Sequence, residues 1–108
     1  MSTLNYLVKS KKNLSNILIR FKNGRKFDYT ISSELKVEPK NWSQTKQKVK
    51  NTAKDKTKDA INNHLLDLKK YVIDNFNLDN AKGIYIDKEW LNKKVALYFN
   101  RPLNETVL

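Results

Sequence analysis

Residues 16–31, NILIRFKNGRKFDYTI, hold two alternating runs joined at Lys22-Asn23-Gly24, and no other stretch limits the fold as much. Ile17, Ile19 and Phe21 alternate with Leu18, Arg20 and Lys22; Phe27, Tyr29 and Ile31 alternate with Lys26, Asp28 and Thr30. Alternation of period two marks a half-buried strand, and Asn-Gly between two such runs is a strong hairpin signal. A two-residue Asn23-Gly24 loop would pair Arg20 with Phe27 and Leu18 with Tyr29. The apolar residues of the two strands would then lie on opposite faces, which no single core can bury. A three-residue loop, Lys22-Asn23-Gly24, repairs the parity: Phe21 pairs with Arg25, Ile19 with Phe27 and Ile17 with Tyr29. Gly24 then takes the left-handed position, which glycine enters without steric penalty. The expected apolar face carries Ile17, Ile19, Phe21, Phe27, Tyr29 and Ile31. The expected outer face carries Arg20, Lys22, Lys26, Thr30 and the hydrophobe Leu18, with Asp28 as its one acid, paired with Arg20 or Lys26. Arg25 falls on the apolar side near the tip.

The remaining elements give this hairpin something to pack against. Leu4, Tyr6 and Val8 alternate with Asn5 and Lys9, which predicts a first strand near residues 4–9. A turn containing Lys11 and Lys12 follows it. Downstream, Pro39 ends any regular ladder, and Val37 and Trp42 are expected to anchor the loop back onto the sheet. Residues 43–58 are almost without apolar side chains and carry Lys46, Lys48, Lys50, Lys54, Lys56 and Lys58 against Asp55. The expectation is a mobile basic loop. The period then changes to 3.6. Ile61, Leu65, Leu68, Val72 and Phe76 form one helical stripe, widened by Leu66 and Ile73. It predicts a helix near 57–77, capped by Thr57 or Asp59, fraying at 75–80 and broken by Gly83. Burying each large side chain of the stripe is worth roughly 1.5–3 kcal/mol, so the stripe is the natural cover for the apolar sheet face. A second helix is predicted near 87–99, with Asp87 as N-cap and Ile86 and Leu91 as a hydrophobic staple. The expected architecture is an α+β fold: a three-stranded antiparallel sheet (4–9, 16–22, 25–31) on one long helix, then a second helix.

Charge points to the partner. The 108 residues carry a formal net charge of +11. Residues 1–58 hold 15 Lys and Arg against 4 Asp and Glu, and residues 59–108 hold seven of each. The whole excess therefore lies with the hairpin half, as expected either for a polyanion-binding face or for a solubilising surface. There is no cysteine and one histidine, so neither a thiolate nucleophile, a disulfide, nor a multi-His metal cluster is expected. His64 stands without a partner carboxylate in the pattern and reads as a surface residue. No paired carboxylates and no phosphate-cradling glycine loop stand out. No apolar run approaches the ~20 residues of a bilayer span, and no secretory signal is evident at the N-terminus. The expectation is a cytoplasmic protein that uses no cofactor and no metal.

The order of these motifs resembles the N-terminal arm-binding region of tyrosine recombinases, the integrases of phages, conjugative elements and transposons. Ile17-Leu18-Ile19-Arg20-Phe21 before Asn23-Gly24, Arg25-Lys26-Phe27, the Val37-x-Pro39-x-x-Trp42 loop and the helix at Ile61–Leu65 carry the likeness. Ile84–Leu91 looks like the run-in to a core-binding domain. One departure is Thr30-Ile31-Ser32-Ser33, which stands where these families carry a Thr-Gly-Ile-like step. The resemblance implies an arm-type DNA-binding domain over 1–80, including the basic loop 43–58. It implies a linker and helix over 81–108 leading toward a domain this chain does not contain. The partner implied is double-stranded DNA at arm-type sites near the ends of a mobile element, held by the sheet in the major groove. The family's catalytic residues belong to a domain for which 108 residues leave no room, so the chain itself is not expected to be an enzyme. Arg20 and Lys22 are the expected base-edge contacts. Lys26, Thr30, Arg25, Lys9, Lys11, Lys12, Lys46, Lys48 and Lys50 complete the expected DNA-binding set. A contrasting reading is a protein-interaction domain that docks partners, other recombinase protomers among them, through an exposed aromatic C-terminal helix (Trp90, Leu91, Tyr98, Phe99), with the charge serving solubility.

Overall fold

The computed structural model describes residues 2–9, 14–50 and 56–100. Strands β1 (Ser2–Leu7), β2 (Ser15–Asn23) and β3 (Phe27–Val37) form an antiparallel sheet in the order β1-β2-β3. A single 3₁₀ turn, Pro39–Asn41, follows, and then a small hairpin of β4 (Trp42–Ser43) and β5 (Lys48–Val49). Helices α1 (Lys58–Ala81) and α2 (Lys88–Tyr98) complete the fold. This is the expected α+β architecture, with strand ends that differ from the sequence reading.

The parity argument holds, and the loop lies two residues further on. Phe21 pairs with Tyr29, Ile19 with Ile31 and Asn23 with Phe27, so the connection is Gly24-Arg25-Lys26 rather than Lys22-Asn23-Gly24. A shift of two residues leaves every side chain on its expected face, because the strand period is two. Gly24 is left-handed, φ +53°, and the turn closes with the Lys26 amide donating to the Asn23 carbonyl at 2.9 Å. Arg25 and Lys26 therefore sit at the exposed tip, not on a strand. The third strand also runs six residues past its expected end. Leu18 pairs with Ser32 but Asn16 with Lys36, so Ser33, Glu34 and Leu35 bulge opposite Ile17. Glu34 takes a left-handed φ of +62° there, and the Ser33 hydroxyl donates to the Ile17 carbonyl at 2.6 Å. The bulge re-registers the ladder and lets it reach Val37.

One side of the sheet is filled. Leu4, Tyr6, Ile17, Ile19, Phe21 and Ile31 are buried together with Ile61, Leu65, Leu68, Val72 and Phe76, the five stripe residues of α1. Leu66 does not widen that stripe; it points to solvent, while Ile73 is half-buried. Phe21 is the centre of the aromatic packing, with ring centroids 5.3 Å from Phe27, 5.3 Å from Phe76 and 6.1 Å from Trp90. It thus joins the sheet to both helices, and aromatic pairs of this kind add to the area term. The Tyr6 hydroxyl crosses the core to donate to the Leu65 carbonyl at 2.5 Å, and burial pushes its phenol well above the ordinary tyrosine range.

The long helix does not fray at 75–80. It continues to Ala81 and stops in a left-handed glycine, Gly83, φ +78°. The Gly83 amide donates to Asn80 and the Ile84 amide to Asp79, which satisfies carbonyls of the last turn. Asp87 caps α2 as expected, its carboxylate accepting from the Trp90 amide at 2.8 Å, and Ile86 and Leu91 are both buried. Trp90 and Leu91 are core residues and Tyr98 and Phe99 are half-buried against the core, so these four do not form the fully exposed face expected of this helix. The helical spacing that marked them as apolar cannot tell a face turned to a partner from one turned to the protein's own core. Trp90 further donates its indole N–H to Asp79 at 2.9 Å, and Lys94 approaches the same carboxylate at 3.3 Å. Those hydrogen bonds hold Asp79 below the usual carboxylate range and tie α2 to the end of α1.

Residues 43–50 are not the mobile loop expected from composition. Trp42 and Val49 are buried and pair across β4 and β5, with Gln47 in the left-handed turn position, φ +54°. Two side-chain amides fasten this hairpin to β1. Gln47 accepts from the Tyr6 amide at 2.8 Å, and Gln44 donates to the Tyr6 carbonyl at 2.9 Å. Asn62 of α1 does the same to the other strand, bonding both the amide and the carbonyl of Val49.

Candidate nucleic-acid interface

With one face of the sheet filled, alternation sends the intervening residues to the other. The ladder arranges them in three rows: Thr3-Lys22-Asp28, Asn5-Arg20-Thr30 and Leu7-Leu18-Ser32. Arg20 occupies the middle of the middle strand. The pairing of Asn16 with Lys36 extends the face past the bulge. A shallow concavity of about 370 Å³ lies on this face, lined by Leu7, Lys9, Arg20, Asp28 and Thr30.

The strongest contact on the face runs diagonally. Lys22 stands directly opposite Asp28, yet the Asp28 carboxylate takes Arg20, with Nε to Oδ1 at 2.9 Å and Nη2 to Oδ2 at 2.5 Å. Diagonal neighbours in an antiparallel pair lie within reach of long side chains. The two parallel bonds raise the Arg20 guanidinium pKa and lower that of Asp28. Both groups remain half exposed.

Of the expected DNA-binding residues, Arg20, Lys22 and Thr30 share the outer face, and Lys9 borders the same concavity. Arg25 and Lys26 extend it at the hairpin tip. Lys46, Lys48 and Lys50 belong to the β4–β5 hairpin, whose turn reaches the edge of the outer face. There Gln47 donates to the Asn5 side chain at 3.2 Å, and Asn5 is the direct neighbour of Arg20 across the ladder. Lys11 and Lys12 lie outside the described residues. Thr3, Asn5, Ser32 and Lys36 share this face without being among the expected DNA-binding residues. Alternation already sets Asn5 on the polar side of the first strand, and carrying it two residues back reaches Thr3. Lys36 was hidden by the bulge, which leaves no period to read.

The match to known families falls on these same elements. The model of the Arm DNA-binding domain matches residues 5–82, from β1 through the end of α1. This chain belongs to the arm DNA-binding domain family. Such arm DNA-binding domains form the N-terminal region of tyrosine recombinases and integrases, and DNA is their partner. No curated protein and no solved structure matches the chain. In this arm DNA-binding domain the matched region contains every Lys and Arg of residues 1–58, Arg20 and Lys22 of the outer sheet face among them. No helix among the described residues is long and apolar enough to cross a membrane.

Proposed function

We propose that the domain is the sequence-specific DNA-binding module of a site-specific integrase of a mobile element, with the outer face of its sheet laid in the major groove. The observation that carries this reading is Arg20 and Lys22, side by side on the central strand, outward and half exposed on a face whose reverse packs against the core. The major groove admits a β-ribbon, and arginine reads guanine through two parallel hydrogen bonds. Arg20 and Lys22 meet base edges, with Thr30 adding a hydroxyl. Lys9, Lys11, Lys12, Arg25 and Lys26 meet phosphates, which set the register without reading sequence. Lys46, Lys48 and Lys50 extend the phosphate contacts beyond the β1 edge.

Titration of a duplex at several salt concentrations tests this. The contacts of Lys9, Lys11, Lys12, Arg25 and Lys26 neutralise about five phosphates, so log K falls against log salt with a slope near −4.5, and contacts from Lys46, Lys48 and Lys50 steepen it. The Arg20→Ala, Lys22→Ala double variant weakens binding while its thermal melt matches the parent. A flat salt dependence, or a double variant that binds as tightly as the parent, overturns the reading.

A further inference from the structure

We propose that Asp28 is a specificity-determining residue: its carboxylate holds the Arg20 guanidinium from the side, so that the remaining edge is presented to one guanine. The inference rests on the groove-facing reading of the sheet given above. It concerns an acid that such a reading leaves unexplained, because a carboxylate on a DNA-binding face repels phosphate.

The geometry supplies the reason for its presence. A guanidinium carries five N–H donors in a rigid fork. Asp28 engages Nε and one hydrogen of Nη2. The second hydrogen of Nη2 and the two of Nη1 point away, and one from each nitrogen forms the pair that matches guanine O6 and N7. Side-on capture by the acid and end-on capture of the base therefore use different edges of one planar group. Charge neutralisation alone would not select this arrangement. Lys22 lies directly across from Asp28 and would supply a counter-charge, but an ammonium has no plane to orient. The carboxylate instead makes the diagonal reach to the one partner whose orientation it can fix. Holding Arg20 before DNA arrives removes rotamer freedom that binding would otherwise have to remove.

The test is selection from a duplex pool with 20 randomised base pairs, carried out with the parent, Asp28→Asn and Arg20→Lys. Asparagine keeps the shape, leaves one acceptor and turns an NH₂ donor toward the guanidinium. The parent enriches a guanine at one position. Asp28→Asn loses preference at that position by about tenfold and keeps its preferences elsewhere. Its affinity for the unselected pool holds or rises, since a negative charge is gone. Arg20→Lys loses the same position. In the free protein, the Arg20 Nε–H exchanges with water more slowly than that of Arg25 at the hairpin tip, and Asp28→Asn removes the difference. Two results overturn the proposal while the proposed function stands: Asp28→Asn keeps the guanine, or it changes affinity equally for every sequence. Equal exchange at Arg20 and Arg25 in the parent also overturns it. A parent that binds no duplex, or enriches no sequence, overturns the groove-facing reading itself.

Discussion

Arg20 and Phe21 are neighbours in the chain and face opposite ways. Phe21 is fully buried and touches rings from the sheet and both helices; the Arg20 side chain is 46% exposed, and its ion-pair partner Asp28 is 42% exposed. A second Asp–cation pair sharpens the contrast. Asp79 and Lys94 are only 15% and 20% exposed, wedged between α1 and α2 and shared with the Trp90 indole. The two pairs have similar chemistry and different tasks. Where the surroundings exclude water, the carboxylate joins elements of the fold. Where they do not, it orients a neighbour toward whatever arrives from solution, because exposed ion pairs add little to stability.

That contrast can be broken most severely at its centre. Phe21→Ala removes the ring that joins the sheet to both helices and costs about 3–5 kcal/mol, read from urea denaturation. The next largest effect is of another kind. Arg20→Ala weakens binding to the selected duplex about tenfold and moves the urea midpoint only slightly, by no more than the loss of an exposed ion pair, and a shift approaching that of Phe21→Ala would show that the outer face also serves the fold. Tyr6→Phe keeps the ring and deletes the hydroxyl that reaches Leu65; it costs about 1 kcal/mol and leaves DNA affinity unchanged. The smallest effect separates the two acids. Both carboxylates are held below the ordinary range, Asp28 by the Arg20 hydrogen bond and Asp79 by the Trp90 indole. A lowered folded-state pKa gives stability that is present above the ordinary carboxylate value and is lost as pH falls through the folded value. Denaturation midpoints between pH 6 and 2 therefore fall on the acid side. Asp79→Asn flattens that fall at both low and high salt, whereas the effect of Asp28→Asn fades as salt screens the exposed pair.

The inward side of this domain was largely legible. Burial selects a repeating residue type, so period two found the apolar face of β2 and β3, and period 3.6 found all five stripe residues of α1. The Asp87 cap and its staple were equally readable, since capping is chemistry between near neighbours in the chain. What failed depended on contacts across the fold. Asn-Gly marked the turn and the left-handed glycine, but either of two loops gives the correct parity. Pairing Asn23 with Phe27, which brings the Phe27 ring onto Phe21, selects the later one. The run to Val37 needed a bulge at three residues with no distinctive pattern. The 43–50 hairpin looked formless because its anchors, Trp42 and Val49, stand seven positions apart amid lysines and glutamines. On the outer face alternation found Arg20, Lys22 and Thr30, but nothing in the spacing revealed which cation Asp28 would take.

Gln44 and Gln47 deliver to Tyr6 what an adjoining strand would deliver, one acceptor and one donor on the open margin of β1. That rung of the margin is therefore already occupied. A strand from a second copy that paired at Tyr6 would have to displace both amides and strip Asn5 of its contact. Unguarded margins of this kind can pair edge to edge into continuous sheets. Here the guard consists of amides that carry no charge, so it leaves the charge of the outer face unaltered.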